Sequence, residues 1–208
     1  VARDKTLKAQ LSSVVSIQSF NGTLLYEPWQ TLKADGTPFK VFTAYWNHTL
    51  KKGIDHPLYQ APNTLTAPAV LPTSLSLDDL KLLPRIAWDR TIMQHWRTGE
   101  QAAHQALQRF LAEAAQDYDH ARNLPALSAT SSLSAYLHLG AISPRQVIHA
   151  SLQWQDHHPA ASLGLETFRR EIGWRDFAYY LLFHWPQTVD QPLDQRFLRF
   201  GWRAPEDY

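Results

Sequence analysis

With 208 residues, the chain is long enough for one large domain or two small ones, and its 44% hydrophobic and 19% charged residues exclude wholesale disorder. The net charge of +1 excludes a strong overall field toward nucleic acids. The absence of cysteine excludes disulfides, thiolate metal sites and cysteine nucleophiles, and no apolar run is long enough to span a membrane, so we expect a cytoplasmic protein without membrane contact.

The N-terminal segment has the pattern of a strand and a turn. Residues 14–20 (VVSIQSF) predict a short strand, Asn21-Gly22 predicts a turn, and residues 23–27 (TLLYE) predict an extended segment. A strand without a neighbouring strand in sequence indicates the end of an α/β unit, with a small independent hairpin as the alternative.

The next segment has the composition of a linker. Residues 51–75 contain four prolines among serine, threonine and alanine, and Pro84 interrupts the segment that follows. This composition predicts a linker that follows a protein surface.

From Gly99 onward the apolar residues have helical periodicity. A first predicted helix places on one face Ala103, Leu107, Phe110, Leu111, Ala114 and Tyr118. A second follows in residues 133–139 (LSAYLHL) and ends at Gly140, and a third begins at Ser143, where Gln146 can complete a capping box. A long helix ended by Pro186 carries Leu165, Phe168, Ile172, Phe177, Leu181 and Trp185. We therefore predict that the last 110 residues are all-helical.

Four hydroxyl side chains lie at the start of the second of these helices, those of Thr130, Ser131, Ser132 and Ser134. The simpler interpretation is a helix cap rich in serine and threonine. The functional interpretation is a site for an anion such as a pyrophosphate, because hydroxyls and free backbone N–H groups then converge on one point.

A second group of polar residues lies on the long helix. Glu171, Trp174 and Arg175 share one face at spacings of three and four residues, and Phe168 precedes them on the same side. The simpler interpretation is a core tryptophan beside a structural ion pair. The functional interpretation is a pocket wall, in which tryptophan stacks on a flat ring while the carboxylate and guanidinium bind polar groups.

Two further pairs have helical spacing. Tyr118 and Arg122 lie four residues apart, which is typical of a helix end whose arginine complements the helix dipole. Glu100 and His104 have the same spacing, but a carboxylate-bridged metal site needs a matching motif on another helix, and we find none. We predict no metal site.

In their order and spacing along the chain, these motifs resemble those of the photolyase/cryptochrome family, and most closely those of the microbial cyclobutane-pyrimidine-dimer photolyases. The resemblance covers nearly the whole chain, through GTLLYEP and DGTPFKVFTAYW (22–46), WRTGE (96–100), Tyr118-x-x-x-Arg122-x-x-Pro125, TSSLSAYLHLGAISPRQ (130–146) and FRREIGWRDFAYYLLFHWP (168–186). Ala129 and Ser132 depart from the family, which often has glycine and arginine there.

The resemblance implies a mainly α chain that is part of a longer protein. Residues 1–50 would be the C-terminal end of a Rossmann-like α/β antenna domain, and residues 51–98 the interdomain linker. Residues 99–208 would be the first half of a helical FAD-binding domain.

The resemblance also implies roles for single residues. The FAD would contact Tyr118, Thr130, Ser131, Ser132, Leu133, Ser134, Phe168, Glu171 and Arg175. Glu171 and Trp174 would be the catalytic residues that face the lesion, and the DNA would be bound by them and by Arg122.

The implied function is light-driven repair of pyrimidine dimers in DNA by electron transfer from reduced FAD, a carbon–carbon lyase reaction. The resemblance further implies a monomer and allows a second antenna chromophore of folate or deazaflavin type in the full-length protein. The alternatives are a cryptochrome-like blue-light photoreceptor and a helical interaction module without cofactor. Glu171 together with Trp174 favours repair, since many cryptochromes replace the carboxylate.

Overall fold

The computed structural model describes residues 2–71, 73–201 and 203. Within them the chain forms eight α-helices joined by turns, short 3₁₀ segments and irregular stretches, and it forms no strand. The helices are α1 (Ala2–Leu11), α2 (Phe42–Lys52), α3 (Arg90–Met93), α4 (Glu100–Glu113), α5 (Tyr118–Ala121), α6 (Ser134–Leu139), α7 (Pro144–His157) and α8 (Ser162–His184). No helix in this described part is long and apolar enough to cross a bilayer.

The mainly α fold class is confirmed, but the predicted N-terminal strand is wrong. Residues 14–20 form turns and irregular backbone, and their side chains are exposed. The described residues provide no neighbouring strand to pair with them, so water satisfies backbone groups that a sheet would otherwise bond. The segment 23–27 is also irregular, although Leu24 and Leu25 are buried.

The chain divides into two compact units. One consists of Val1–Lys52 with Gly173–Tyr208, and the other of Gly53–Ile172, so the division falls within α8. We call them the discontinuous unit and the central unit. The predicted three-part division into antenna end, linker and FAD-binding half stays a prediction.

Aromatic residues form the core of the discontinuous unit. They are contributed by the segment before α2, by α2 and by the second half of α8, and include Phe39, Phe42, Tyr45, Trp46, Phe177 and Tyr180. The Tyr180 hydroxyl donates to the Thr31 carbonyl at 2.8 Å and accepts the Phe39 N–H at 2.9 Å. This hydroxyl fixes two irregular segments to α8, because each would otherwise bury an unpaired backbone group.

The helical predictions for the central unit are confirmed at their main points. Helix α4 buries Ala103, Ala106, Leu107, Phe110 and Leu111, whereas Ala114 follows the helix end and Tyr118 belongs to α5. Helix α6 ends at Gly140, whose φ is +74°. In α7, the Ser143 N–H donates to Gln146 Oε1 at 2.8 Å and Ser143 Oγ accepts the Gln146 N–H at 3.2 Å, which is the predicted capping box. The predicted helical content of residues 202 and 204–208 lies outside the described residues.

Candidate functional site

A cluster of three aromatic rings in the central unit includes two predicted flavin contacts. The Tyr118 ring stands nearly perpendicular to Phe110 and to Phe168, at centroid distances of 5.3 and 5.6 Å, and Phe110 and Phe168 lie 4.4 Å apart. Tyr118 is 7% exposed and Phe168 only 1%. Burial raises the pKa of the Tyr118 phenol above its usual range, so its hydroxyl stays protonated and can donate. Phe168 supports this cluster from within the core.

Next to this cluster, Arg122 forms an ion pair with Glu171. The Arg122 Nη1 donates to Glu171 Oε1. The central guanidinium carbon of Arg122, Cζ, lies 5.5 Å from the centroid of the Tyr118 ring. The hydrogen bond with Glu171 raises the pKa of Arg122 above its ordinary value. The structure thus brings the Tyr118 and Arg122 pair together with Glu171, which the sequence analysis placed on a different helix. The helix-end interpretation of Arg122 misses this contact.

The hydroxyl run before α6 does not act as a side-chain cap. The residue at the N-cap position is Leu133, which is buried, and no side chain bonds there. Within the described part of the chain, the hydroxyls of Thr130, Ser131, Ser132 and Ser134 bond to no other protein group, and three of the four residues are exposed to solvent. Ser132 has a φ of +53°, which serine adopts only at a cost. The side-chain cap of the simpler interpretation is therefore absent from the described residues, and the anion site stays a prediction.

In the discontinuous unit, Trp174 lies on an aromatic stack. Its ring is nearly parallel to that of Phe42, with 3.7 Å between centroids and 13° between planes. Phe42 is in turn parallel to Trp46 at 6.2 Å. Trp174 is 46% exposed, whereas Phe42 and Trp46 are buried. An indole that is covered on one side and exposed elsewhere can stack on a planar ligand.

The predicted flavin neighbour Arg175 holds a backbone segment of the same unit. Its Nη1 donates to the Thr23 carbonyl at 2.7 Å, and the guanidinium lies 5.1 Å from the centroid of the Tyr179 ring. Only 18% of the side chain is exposed. The arginine therefore fixes the irregular N-terminal segment against α8 through these contacts.

Sequence reasoning missed Asp176, a carboxylate that is only 2% exposed. Its Oδ2 accepts the Leu25 N–H at 2.7 Å, and Arg175 Nη1 lies 3.5 Å from its Oδ1. Desolvation raises the pKa of Asp176 to about 7, although the Leu25 N–H and Arg175 act in the opposite direction. A signal was available, because Asp176 is the only acidic residue between Ile172 and Trp185.

Comparison with known proteins supports the family resemblance that the sequence motifs predicted. Residues 1–66 match the family model described as DNA photolyase. The chain is 38% identical to a deoxyribodipyrimidine photo-lyase of Agrobacterium fabrum and 31% identical to Cryptochrome-2 of Arabidopsis thaliana, over 99% and 100% of its length. A crystal structure of a class III photolyase from Agrobacterium tumefaciens superimposes with a TM-score of 0.86 at 38% identity, over 99% of this chain.

The matches cover only part of the known proteins. The chain spans 43% of the Agrobacterium fabrum protein, 36% of Cryptochrome-2 and 42% of the crystallised photolyase. The resemblance predicted from the motifs is confirmed, and so is the expectation that the matched proteins are longer than this chain.

Proposed function

We propose that this chain, which is related to the DNA photolyase and cryptochrome family by sequence and fold, is part of an enzyme that splits pyrimidine dimers in DNA under light. The observation that carries the proposal is the similarity of almost the whole chain to a deoxyribodipyrimidine photo-lyase. The hydroxyls at the start of α6 and the Arg122–Glu171 pair beside Tyr118 support it. We further propose that the whole protein is a cytoplasmic monomer that acts on damaged DNA.

The cofactor proposed for this enzyme is FAD. The hydroxyls of residues 130–132 and 134 hold its phosphates and ribityl chain, and Leu133 anchors the segment that carries them. Tyr118 and Phe168 form an aromatic wall, with Glu171 and Arg175 as polar contacts. The chemistry supplied by bound, reduced FAD is light-driven electron donation and return. The whole protein could also carry an antenna chromophore of folate or deazaflavin type.

Three side chains each have a proposed role toward the lesion. The exposed part of Trp174 stacks on the dimer, and Glu171 accepts hydrogen bonds from the pyrimidine N–H groups. Arg122 keeps the Glu171 carboxylate in place and provides positive charge toward a DNA phosphate. A dimer must leave the duplex stack to reach these groups, and its poor stacking lowers the energy required by a few kcal/mol.

Loss of the free hydroxyls should weaken flavin binding. In the double variant Ser131→Ala/Ser132→Ala we expect at least about tenfold weaker FAD retention, because a hydrogen bond to a charged group contributes about 1.5–3 kcal/mol. The measurement is the visible absorption of the purified intact protein, with flavin quantified after denaturation. Ser128→Ala, an exposed position just before the run, is the matched control. Equal flavin retention in both variants would argue against a phosphate site here.

Neutralising Glu171 should slow repair. The variant Glu171→Gln keeps an oxygen that can accept from Arg122 but removes the negative charge, and we expect a roughly 10- to 100-fold lower repair rate at saturating light. The assay counts the dimers left in a damaged oligonucleotide after illumination. Glu113→Gln, at an exposed position of α4, is the control and should repair at the wild-type rate. A wild-type rate in Glu171→Gln would remove this residue from the proposed mechanism.

A cryptochrome-like photoreceptor is the second candidate, and the similarity to Cryptochrome-2 favours it. Both candidates bind flavin, so flavin content cannot separate them. Repair of dimers in the intact protein separates them directly, because a photoreceptor would absorb light and leave the dimers unchanged.

A further inference from the structure

The aromatic stack of Trp174, Phe42 and Trp46 in the discontinuous unit does more than fill the core, because one of its rings is exposed. Trp174, at one end, is 46% exposed, and its ring lies parallel to Phe42 with 3.7 Å between centroids. Phe42 is only 4% exposed and lies on α2. The buried ring of Phe177 also contacts the indole, edge-on at a centroid distance of 6.0 Å, but Phe42 is the ring that lies parallel to it.

Phe42 is itself firmly held. Trp46, one helical turn later on α2, lies parallel to it at 10°, and the edge of Phe177 contacts it at a centroid distance of 5.8 Å. The Trp46 ring in turn packs on Gly173, where a Cβ atom would lie 2.5 Å from the ring. A Cβ atom at position 173 would force the Trp46 ring to shift, which ties the position of the stack to this turn of α8.

We propose that Phe42 is a positioning residue, which holds the Trp174 indole in a fixed plane so that its exposed part is a ready-made stacking surface for a flat base. The inference rests on the proposed function, because a flipped pyrimidine dimer is the base it would receive. An exposed tryptophan can rotate about two side-chain torsions, and binding a base would have to stop that rotation. Stacking on Phe42 stops it in advance.

The test replaces Phe42 by leucine in the intact protein and uses Phe39→Leu as the matched control. Both changes remove an aromatic ring from the core of the same unit, but Phe39 packs on Tyr45 and His48 instead of Trp174. The first measurement is the ¹⁹F resonance of 5-fluorotryptophan at position 174, assigned by its loss in Trp174→Phe. The second is the ratio of Kd values for undamaged and dimer-containing single-stranded oligonucleotides.

We expect Phe42→Leu to move the Trp174 resonance toward that of a free tryptophan and to lower the Kd ratio about tenfold. Phe39→Leu should leave both unchanged, even if it lowers the melting temperature as much. Because the ratio compares two ligands of one preparation, partial unfolding affects both Kd values and does not imitate this result. Phe42→Tyr keeps a ring on Trp174 and should restore the ratio.

Two results would overturn the inference. One is a Trp174 resonance that Phe42→Leu leaves unmoved, and the other is a moved resonance with an unchanged Kd ratio. Failure of the proposed function looks different: the wild-type protein would bind both oligonucleotides equally, while the Trp174 resonance still responded to Phe42→Leu. That outcome supports the contact between the two rings and rejects the dimer as the ligand.

Discussion

Substitution of Gly164 by alanine should destabilise the central unit by at least about 3 kcal/mol. A Cβ atom at Gly164 would lie deep inside van der Waals contact with the Ala115 carbonyl oxygen and 2.8 Å from that of Gln116. Both obstacles are backbone atoms just after α4, so no side-chain rotation can relieve the clash. Helix α8 would have to move away from this segment, and the contacts of Leu165 and Phe168 in the core would be lost.

The direction of the change in stability distinguishes the steric clash from the effect of helix propensity. Alanine is a better helix former than glycine by about 1 kcal/mol, so without the close approach Gly164→Ala would stabilise α8. Urea denaturation followed by circular dichroism measures the difference. Gly22→Ala, where no atom lies within 4 Å of the new Cβ, should change the free energy of unfolding by less than about 1 kcal/mol. Unchanged or increased stability of Gly164→Ala would contradict this packing of α8.

A second large effect is expected from the buried carboxyl of Asp176. Its pKa is about 7 in the folded protein and close to the ordinary aspartate value of 3.8 in the unfolded chain. Between these values the folded state binds more protons, so the stability that this group contributes is fully present below about pH 4 and is lost as the pH rises to about 7. The change amounts to roughly 4 kcal/mol, at 1.36 kcal/mol for each pH unit between the two pKa values.

The variant Asp176→Asn should remove this pH dependence. An amide does not titrate, and its oxygen can still accept the Leu25 N–H, so the contact with the N-terminal segment is kept. The measurement is the free energy of unfolding in urea at intervals between pH 4 and pH 8. Asp190→Asn, at an exposed position of the same unit, should keep the wild-type profile. Parallel profiles for wild-type and Asp176→Asn would mean that this carboxyl is ionised normally.

Features set by local sequence could be predicted. The apolar spacing that identified α4 and α8 depends only on the 3.6-residue repeat, and the capping box at Ser143 and Gln146 involves residues three apart. Gly140 ended α6 as predicted because glycine adopts a positive φ without penalty.

Features that depend on distant residues could not be predicted in the same way. The partners Arg122 and Glu171 are 49 residues apart in sequence, and Leu25 and Asp176 are 151 apart. The stacking of Trp174 on Phe42 likewise joins two helices far apart in sequence. The predicted strand at residues 14–20 is wrong because a strand needs partner strands, and the local pattern of residues does not show whether partners are present.

Light-dependent repair by the intact protein is the most direct test of the proposed function. Purified protein with reduced flavin is mixed with an oligonucleotide that contains one cyclobutane pyrimidine dimer, and the remaining dimers are counted after near-ultraviolet or blue illumination and after the same time in the dark. We predict loss of dimers in the light and none in the dark. Flavin-loaded, folded protein that leaves all dimers intact after a saturating exposure would contradict the assignment as a repair enzyme.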